Sequence, residues 1–114
     1  MARRTTSEHP TQPDIIALLK AGEEYSALLY PAESNHHLAP DALSTSNVRF
    51  FVTRDNGRAI ATGALVLHKS WGELKCMWVV PEERGLGVSK DMLALLEATA
   101  RNEQIGILRL ETGV

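Results

Sequence analysis

The chain has 114 residues, 44% apolar and 23% charged, which sets the expectation of one globular domain with a modest core, residues 1–114. Its net charge of -2 excludes a general nucleic-acid or membrane-surface binder, and no stretch is apolar for long enough to cross a bilayer as a helix. Cys76 is the single cysteine, so no internal disulfide forms, and no apolar run follows Arg3 and Arg4 as a secretory leader requires; both fit the cytoplasm.

Residues 1–12 read as a loosely ordered lead-in with a weak first strand at Ala2–Thr6, because the stretch is polar and Pro10 and Pro13 frame its end. Pro13 and Asp14 then open a helix, Asp14–Tyr30, which Pro31 stops. Ile15, Leu18, Leu19, Tyr25, Leu28 and Leu29 recur at helical spacing, with Gly22 as the weak point of the pattern. Residues 31–41 are rich in Pro, Asn, Ser and His and read as irregular, followed by a short helical turn near Pro40–Leu43. Val48–Arg54 is a strand, Asp55-Asn56-Gly57 a hairpin turn, and Arg58–His68 the return strand. The small residues Ala59, Ala61, Gly63 and Ala64 in that return strand point to close packing on one face. Glu73–Val80 is the third strand of the meander, ended by Pro81. Val88–Asn102 is a helix with Met92, Leu93, Leu95, Leu96 and Thr99 on its apolar face, and Ile107–Thr112 is a final strand. The order predicts an α/β (α+β) fold: an antiparallel meander followed by a β-loop-α-β crossover, hence a mixed sheet.

The segment Arg84-Gly85-Leu86-Gly87-Val88-Ser89-Lys90 joins a strand to a helix. Glycines let the backbone turn tightly and bring amide groups near a ligand, and a helix N-terminus adds unpaired donors and partial positive charge. Arg84 and Lys90 supply full charges, so the loop suits a diphosphate. The same loop also serves as a tight strand-to-helix turn with no ligand. A Walker loop is excluded, because no Gly-Lys-Ser/Thr follows, and Lys90 stands where the dinucleotide pattern needs its third glycine.

Val79-Val80-Pro81-Glu82-Glu83-Arg84-Gly85-Leu86-Gly87-Val88-Ser89-Lys90-Asp91-Met92-Leu93 resembles the central motif of the GNAT superfamily of N-acetyltransferases. In that motif, Gln/Arg-x-x-Gly-x-Gly/Ala follows a strand ending in Val-x-Pro; Arg84, Gly87 and Ser89 fill the three positions, Ser89 replacing the usual Gly or Ala. The resemblance extends from Pro13 to Val114 and takes in Gly63-Ala64-Leu65, Gly72-Glu73-Leu74-Lys75-Cys76-Met77 and Leu108-Arg109-Leu110-Glu111-Thr112-Gly113. It implies acetyl-CoA as co-substrate, with Gly85, Leu86, Gly87, Val88, Ser89 and Lys90 holding the pyrophosphate. It further implies that Met77, Trp78 and Val79 offer backbone groups to the pantetheine arm, one N–H polarising the thioester carbonyl. The acceptor it implies is a primary amine of a small or amino-acid-like molecule, with neither nucleic acid nor membrane as partner.

Glu73 lies at the spacing before Arg84 of the catalytic glutamate in the histone-acetylating members, which implies a general base. The plain alternative is an exposed strand-edge carboxylate near Lys75. Pro31-Ala32-Glu33-Ser34-Asn35-His36 resembles a stretch in a small-molecule branch of the superfamily, so Glu33, Ser34 and His36 are acceptor candidates; the alternative is local capping of a loop. His9, His36, His37 and His68 lack metal-ligand spacing, so no metal is expected. Cys76 reads as a small residue of a buried strand, and Trp78 as either core or a shelter for the pantetheine.

In the superfamily one more helix and two strands follow the equivalent of Ile107–Thr112, and they supply an Asn to coenzyme A and a Tyr to the departing thiolate. The expected fold therefore lacks the usual last helix and two strands. Three accounts fit: a shortened chain, a homodimer that covers the open edge, or an omitted tail. A coenzyme-binding module without turnover and a domain without a ligand stand as alternatives to the enzyme.

Overall fold

The sheet is organised around a tight turn at Asn56-Gly57. Both residues adopt the left-handed backbone, φ 52° and 88°, so only they separate Asp55 from its paired residue Arg58. Such a turn twists with the strands it joins, which is why Asn-Gly favours it. The computed structural model describes residues 3–29 and 42–110. Its elements are β1 Arg3–Ser7, α1 Pro13–Leu29, β2 Val48–Asp55, β3 Arg58–Leu67, β4 Gly72–Val79, α2 Val88–Asn102 and β5 Leu108–Leu110, with short helical turns at Ala42–Ser44 and Pro81–Glu83.

The five strands lie in chain order. Neighbours are antiparallel from β1 to β4, while β4 and β5 run parallel, Gly72 to Leu74 facing Leu108 to Leu110. The mixed sheet and the crossover through α2 agree with the sequence-based expectation. The irregular segment at 31–41, with Glu33, Ser34 and His36, lies outside the described residues, as do Tyr30 and the residues after Leu110.

The two helices cover opposite faces. Alternate residues of a strand point to opposite sides. Gly63 and Leu65 of β3 face α2: a Cβ on Gly63 would stand 2.8 Å from Met92 Sδ and 3.2 Å from Leu96 Cδ1. Ala64 faces the other way and packs with Ile15 of α1, Leu43, Phe50 and Val52. Because Gly63 lets α2 approach closely, that helix buries a narrow stripe: Val88, Met92, Leu96 and Ala100, four residues apart. Leu93, expected on the apolar face, is 37% exposed. Its position lies to one side of this stripe.

The weak first strand expected at Ala2–Thr6 is found as Arg3–Ser7, paired along its whole span with β2. Arg54 then ties the following turn to the sheet. Its Nε and Nη2 donate to the Glu8 carboxylate at 2.9–3.1 Å, and its Nη1 donates to Asp14 Oδ2 and to the Gly57 carbonyl, both at 2.8 Å. Arg54's hydrogen bonds hold both carboxyl groups below their ordinary pKa and raise its own. The helix expected from Asp14 runs unbroken through Gly22. Trp78 of β4 lies against that glycine, and an added Cβ would stand 2.9 Å from Trp78 Cγ. The residue that weakens the helix pattern is the one that admits the indole.

Candidate functional site

The site begins where β4 stops. Pro81 cannot donate to a ladder, and the chain turns: Glu83 N donates to the Val80 carbonyl at 3.0 Å and Arg84 N to the Pro81 carbonyl at 3.3 Å. Gly85 and Gly87 follow with φ 82° and 83°, a conformation side chains disfavour. Gly87 is the N-cap of α2 and provides no side-chain cap. The first N–H groups of α2 therefore have no partner within the helix. A Cβ on Gly85 or Gly87 would meet nothing within 4 Å, so the loop opens onto free space. That space is a pocket of about 230 Å³ lined by Val79, Glu83, Arg84, Gly85, Gly87, Val88 and Ser89. Val88 is buried, whereas Leu86, Ser89 and Lys90 are exposed.

Arg84, which lines the pocket, rests on two aromatic rings. Arg84 lies over the Tyr25 ring at 4.7 Å and the Trp78 ring at 5.0 Å. Its Nε donates to the Val79 carbonyl at 3.3 Å and its Nη1 to the Tyr25 hydroxyl at 3.4 Å. The rings of Tyr25 and Trp78 are 5.1 Å apart and tilted by 49°. Trp78 Nε1 is buried with no hydrogen-bond partner among the described residues. Trp78 thus packs under α1 and against the Arg84 guanidinium. Arg3 holds the loop from the opposite side, donating to the Leu86 carbonyl at 3.2 Å and pairing with Asp91 at 3.1 Å.

The middle of β4 is irregular. Thr62 pairs with Trp78 and Ala64 with Lys75, so Gly63 alone stands opposite Cys76 and Met77. This is a bulge. Cys76 takes φ 56°, unusual for a non-glycine residue, and its carbonyl accepts the Thr62 hydroxyl at 2.7 Å. Cys76 is accordingly half-buried at a kink, not a regular member of a buried strand. The extra residue also shifts the alternation, so that Trp78, opposite Thr62, shares a face with Lys75, opposite Ala64.

Glu73 is opposite Val66 and Arg109, which places it on that same face, on the side of α1. It is not an exposed edge carboxylate: its side chain is 15% exposed and pairs with Lys75 Nζ at 3.4 Å and His68 Nε2 at 3.3 Å. Among the described residues, no three His, Cys, Asp or Glu side chains gather as a metal ion requires, and no helix is long and apolar enough to cross a membrane.

The structure therefore joins Val79, Arg84, Gly85, Gly87, Val88 and Ser89 in one pocket wall, with Trp78 packed against Arg84. It places Glu73 earlier along β4, before the bulge. Sequence reasoning missed Tyr25 and Arg3, which reach the loop from distant positions. Tyr25 was assigned only to the helix stripe. No local pattern marks Arg3.

Comparison with known proteins matches residues 14–114 to the model of the acetyltransferase (GNAT) family. An IAA acetyltransferase of Azospirillum brasilense is 37% identical over 109 residues, spanning 94% of this chain and 71% of that protein. A Klebsiella pneumoniae protein assigned as an acyl-CoA N-acyltransferase is 31% identical and superposes with a TM-score of 0.76, over 95% of this chain and 70% of the other. A Clostridium acetobutylicum protein classed as an acetyltransferase, solved with acetyl-CoA, shares the fold at 16% identity, with a TM-score of 0.68 over 97% of this chain and 81% of its own.

Proposed function

The chain belongs to the acetyltransferase (GNAT) family, and we propose that it moves acetyl from acetyl-CoA to a primary amine of a small or amino-acid-like acceptor. The observation that carries the donor assignment is the left-handed glycine pair that opens α2 onto the pocket. Free amide donors and the positive end of a 15-residue helix suit a diphosphate. Lys90 adds charge at the same helix start. Ser89, exposed in the first turn, leaves room for a phosphate and offers a hydroxyl to it. The Clostridium protein solved with acetyl-CoA supports the same reading through its shared fold.

In this reading the bulge interrupts the regular pairing of β4 with β3 ahead of Trp78, and the backbone of the Met77–Val79 segment serves the pantetheine arm. An N–H of the Met77–Val79 segment polarises the thioester carbonyl. The amine nitrogen forms its bond to the acetyl carbon as the carbon–sulfur bond breaks. Glu73 receives the amine proton, directly or through water, and the departing thiolate takes up a proton to leave as the free thiol. Glu33, Ser34 and His36 remain acceptor candidates in the segment before β2.

Replacing Glu73 with glutamine tests the base. The expected result is a fall in kcat of about 100-fold or more, with acetyl-CoA affinity retained. An unchanged rate and pH profile would remove Glu73 from that role. One observation favours the second reading, a coenzyme-binding module without turnover: both Glu73 carboxylate oxygens are already engaged, by Lys75 and His68. Thiol release across an amine panel separates the two readings. The proposal also covers one domain, a cytoplasmic location and a homodimer; a stable monomer in sedimentation at micromolar concentration would remove the last.

A further inference from the structure

The face of the sheet that carries Glu73 also carries His68, Trp71 and Arg109, which have no part in the chemistry just described. Glu73 and Arg109 are directly paired across β4 and β5, so their side chains leave the sheet on the same side, in neighbouring strands about 4.8 Å apart. His68 lies two residues beyond Val66, the other partner of Glu73, and Trp71 lies two residues before Glu73, so the alternation brings both to this side. The contacts agree. His68 and Trp71 stack with centroids 4.0 Å apart and planes at 14°, and the Arg109 guanidinium lies over the Trp71 ring at 4.7 Å. His68 and Lys75 are paired with Glu73. Among the described residues no carboxylate pairs with Arg109, whose side chain is exposed.

Stacking uses the flat face of a guanidinium and leaves its in-plane N–H donors free. Those donors match a carboxylate through two parallel hydrogen bonds. Among the described residues Glu73 is the sole carboxylate of the cluster, and Lys75 already offsets it, so Arg109 leaves these side chains net positive. We propose that Arg109, held by Trp71, determines acceptor specificity by receiving a carboxylate borne by the acceptor amine. Its position opposite Glu73 in the strand register sets this anion site beside the proton acceptor, so the carboxylate and amine must be close together, as in an α-amino acid. The inference rests on the acetyltransferase reading of the same site.

The test is thiol release by the full chain, saturated with acetyl-CoA. The acceptors are L-α-amino acids, their carboxamides, the corresponding decarboxylated amines, and phosphoethanolamine. One charge-assisted pair corresponds to about a 10- to 100-fold preference in kcat/KM, so the acid is expected to exceed its carboxamide by that factor. Arg109→Gln is expected to abolish the preference, mainly through the KM of the acid. Arg109→Lys should restore part of it, because the charge survives but the paired geometry does not. Equal rates on acids and carboxamides, turnover confined to neutral or phosphorylated amines, no turnover of any amino acid, or a preference retained in Arg109→Gln would each overturn the inference. Calorimetric titration of acetyl-CoA into the same proteins separates the two levels: binding without acceptor preference defeats this inference alone, whereas absence of binding defeats the function with it.

Discussion

Replacing Gly22 with alanine is expected to destabilise this protein, against the ordinary preference of helices for alanine. In an exposed helix interior the exchange gains about 1 kcal/mol. At Gly22 the new Cβ would stand 2.9 Å from Cγ, 3.1 Å from Cδ2 and 3.2 Å from Cβ of Trp78. These atoms form the root of the side chain, so the indole cannot relieve the clash by moving its tip. Either Trp78 or α1 must shift, and such overpacking costs about 1–3 kcal/mol. The balance is a loss of about 1 kcal/mol, or about 4 °C in melting temperature for a domain of this size. Tyr25 and Arg84 rest on the same indole, so tryptophan fluorescence should change as well. Thermal melts by far-UV circular dichroism give the answer. A variant that melts about 4 °C higher with unaltered fluorescence would refute the reasoning, since helix propensity would then have outweighed a contact that is not there.

Other expectations follow from the same geometry. Arg54→Met removes the partner of Glu8 and Asp14 and should cost about 1–3 kcal/mol at neutral pH, between the values of exposed and buried ion pairs; urea melts measure it. Both carboxyls have folded pKa values below their ordinary 4.5 and 3.8. Their stabilisation is therefore present above that range and is lost as pH falls through the lowered folded values. The wild type should lose stability more steeply than Arg54→Met below about pH 4.5, and parallel pH profiles would contradict this. Gly87→Ala places a side chain at φ 83°, costs about 1–2 kcal/mol and turns the first amides of α2 away from the pocket. Acetyl-CoA affinity measured by calorimetry should fall about 10-fold, the factor that about 1.4 kcal/mol represents.

Much of this fold was legible because its signals are local. The Asn56-Gly57 turn fixes a hairpin by its own dihedral needs. Val88–Asn102 begins and ends where the sequence places it. The glycine loop is recognisable because only glycine readily adopts its dihedrals. What escaped is non-local. Nothing near Arg3 in the chain announces that it holds the Leu86 carbonyl, 83 residues away. A polar lead-in has no hydrophobic pattern, so its first strand reads only weakly from the sequence, and it is backbone pairing with β2 that secures it. The α2 stripe was drawn too wide because helical spacing cannot reveal that Gly63 admits the helix so closely. The bulge at Cys76 was invisible for a similar reason: it arises from a mismatch in count between two strands, and no residue of β4 signals it alone.

The central claim is that the loop opening α2 grips the diphosphate of acetyl-CoA. Isothermal titration of the full chain tests it most directly, with acetyl-CoA and, separately, with acetyl-pantetheine, which retains the thioester arm but lacks the nucleotide and its diphosphate. The account predicts saturable one-site binding of acetyl-CoA and loss of most of that affinity for acetyl-pantetheine. Equal binding of the two, or no binding of acetyl-CoA by a chain that circular dichroism shows to be folded, would contradict it.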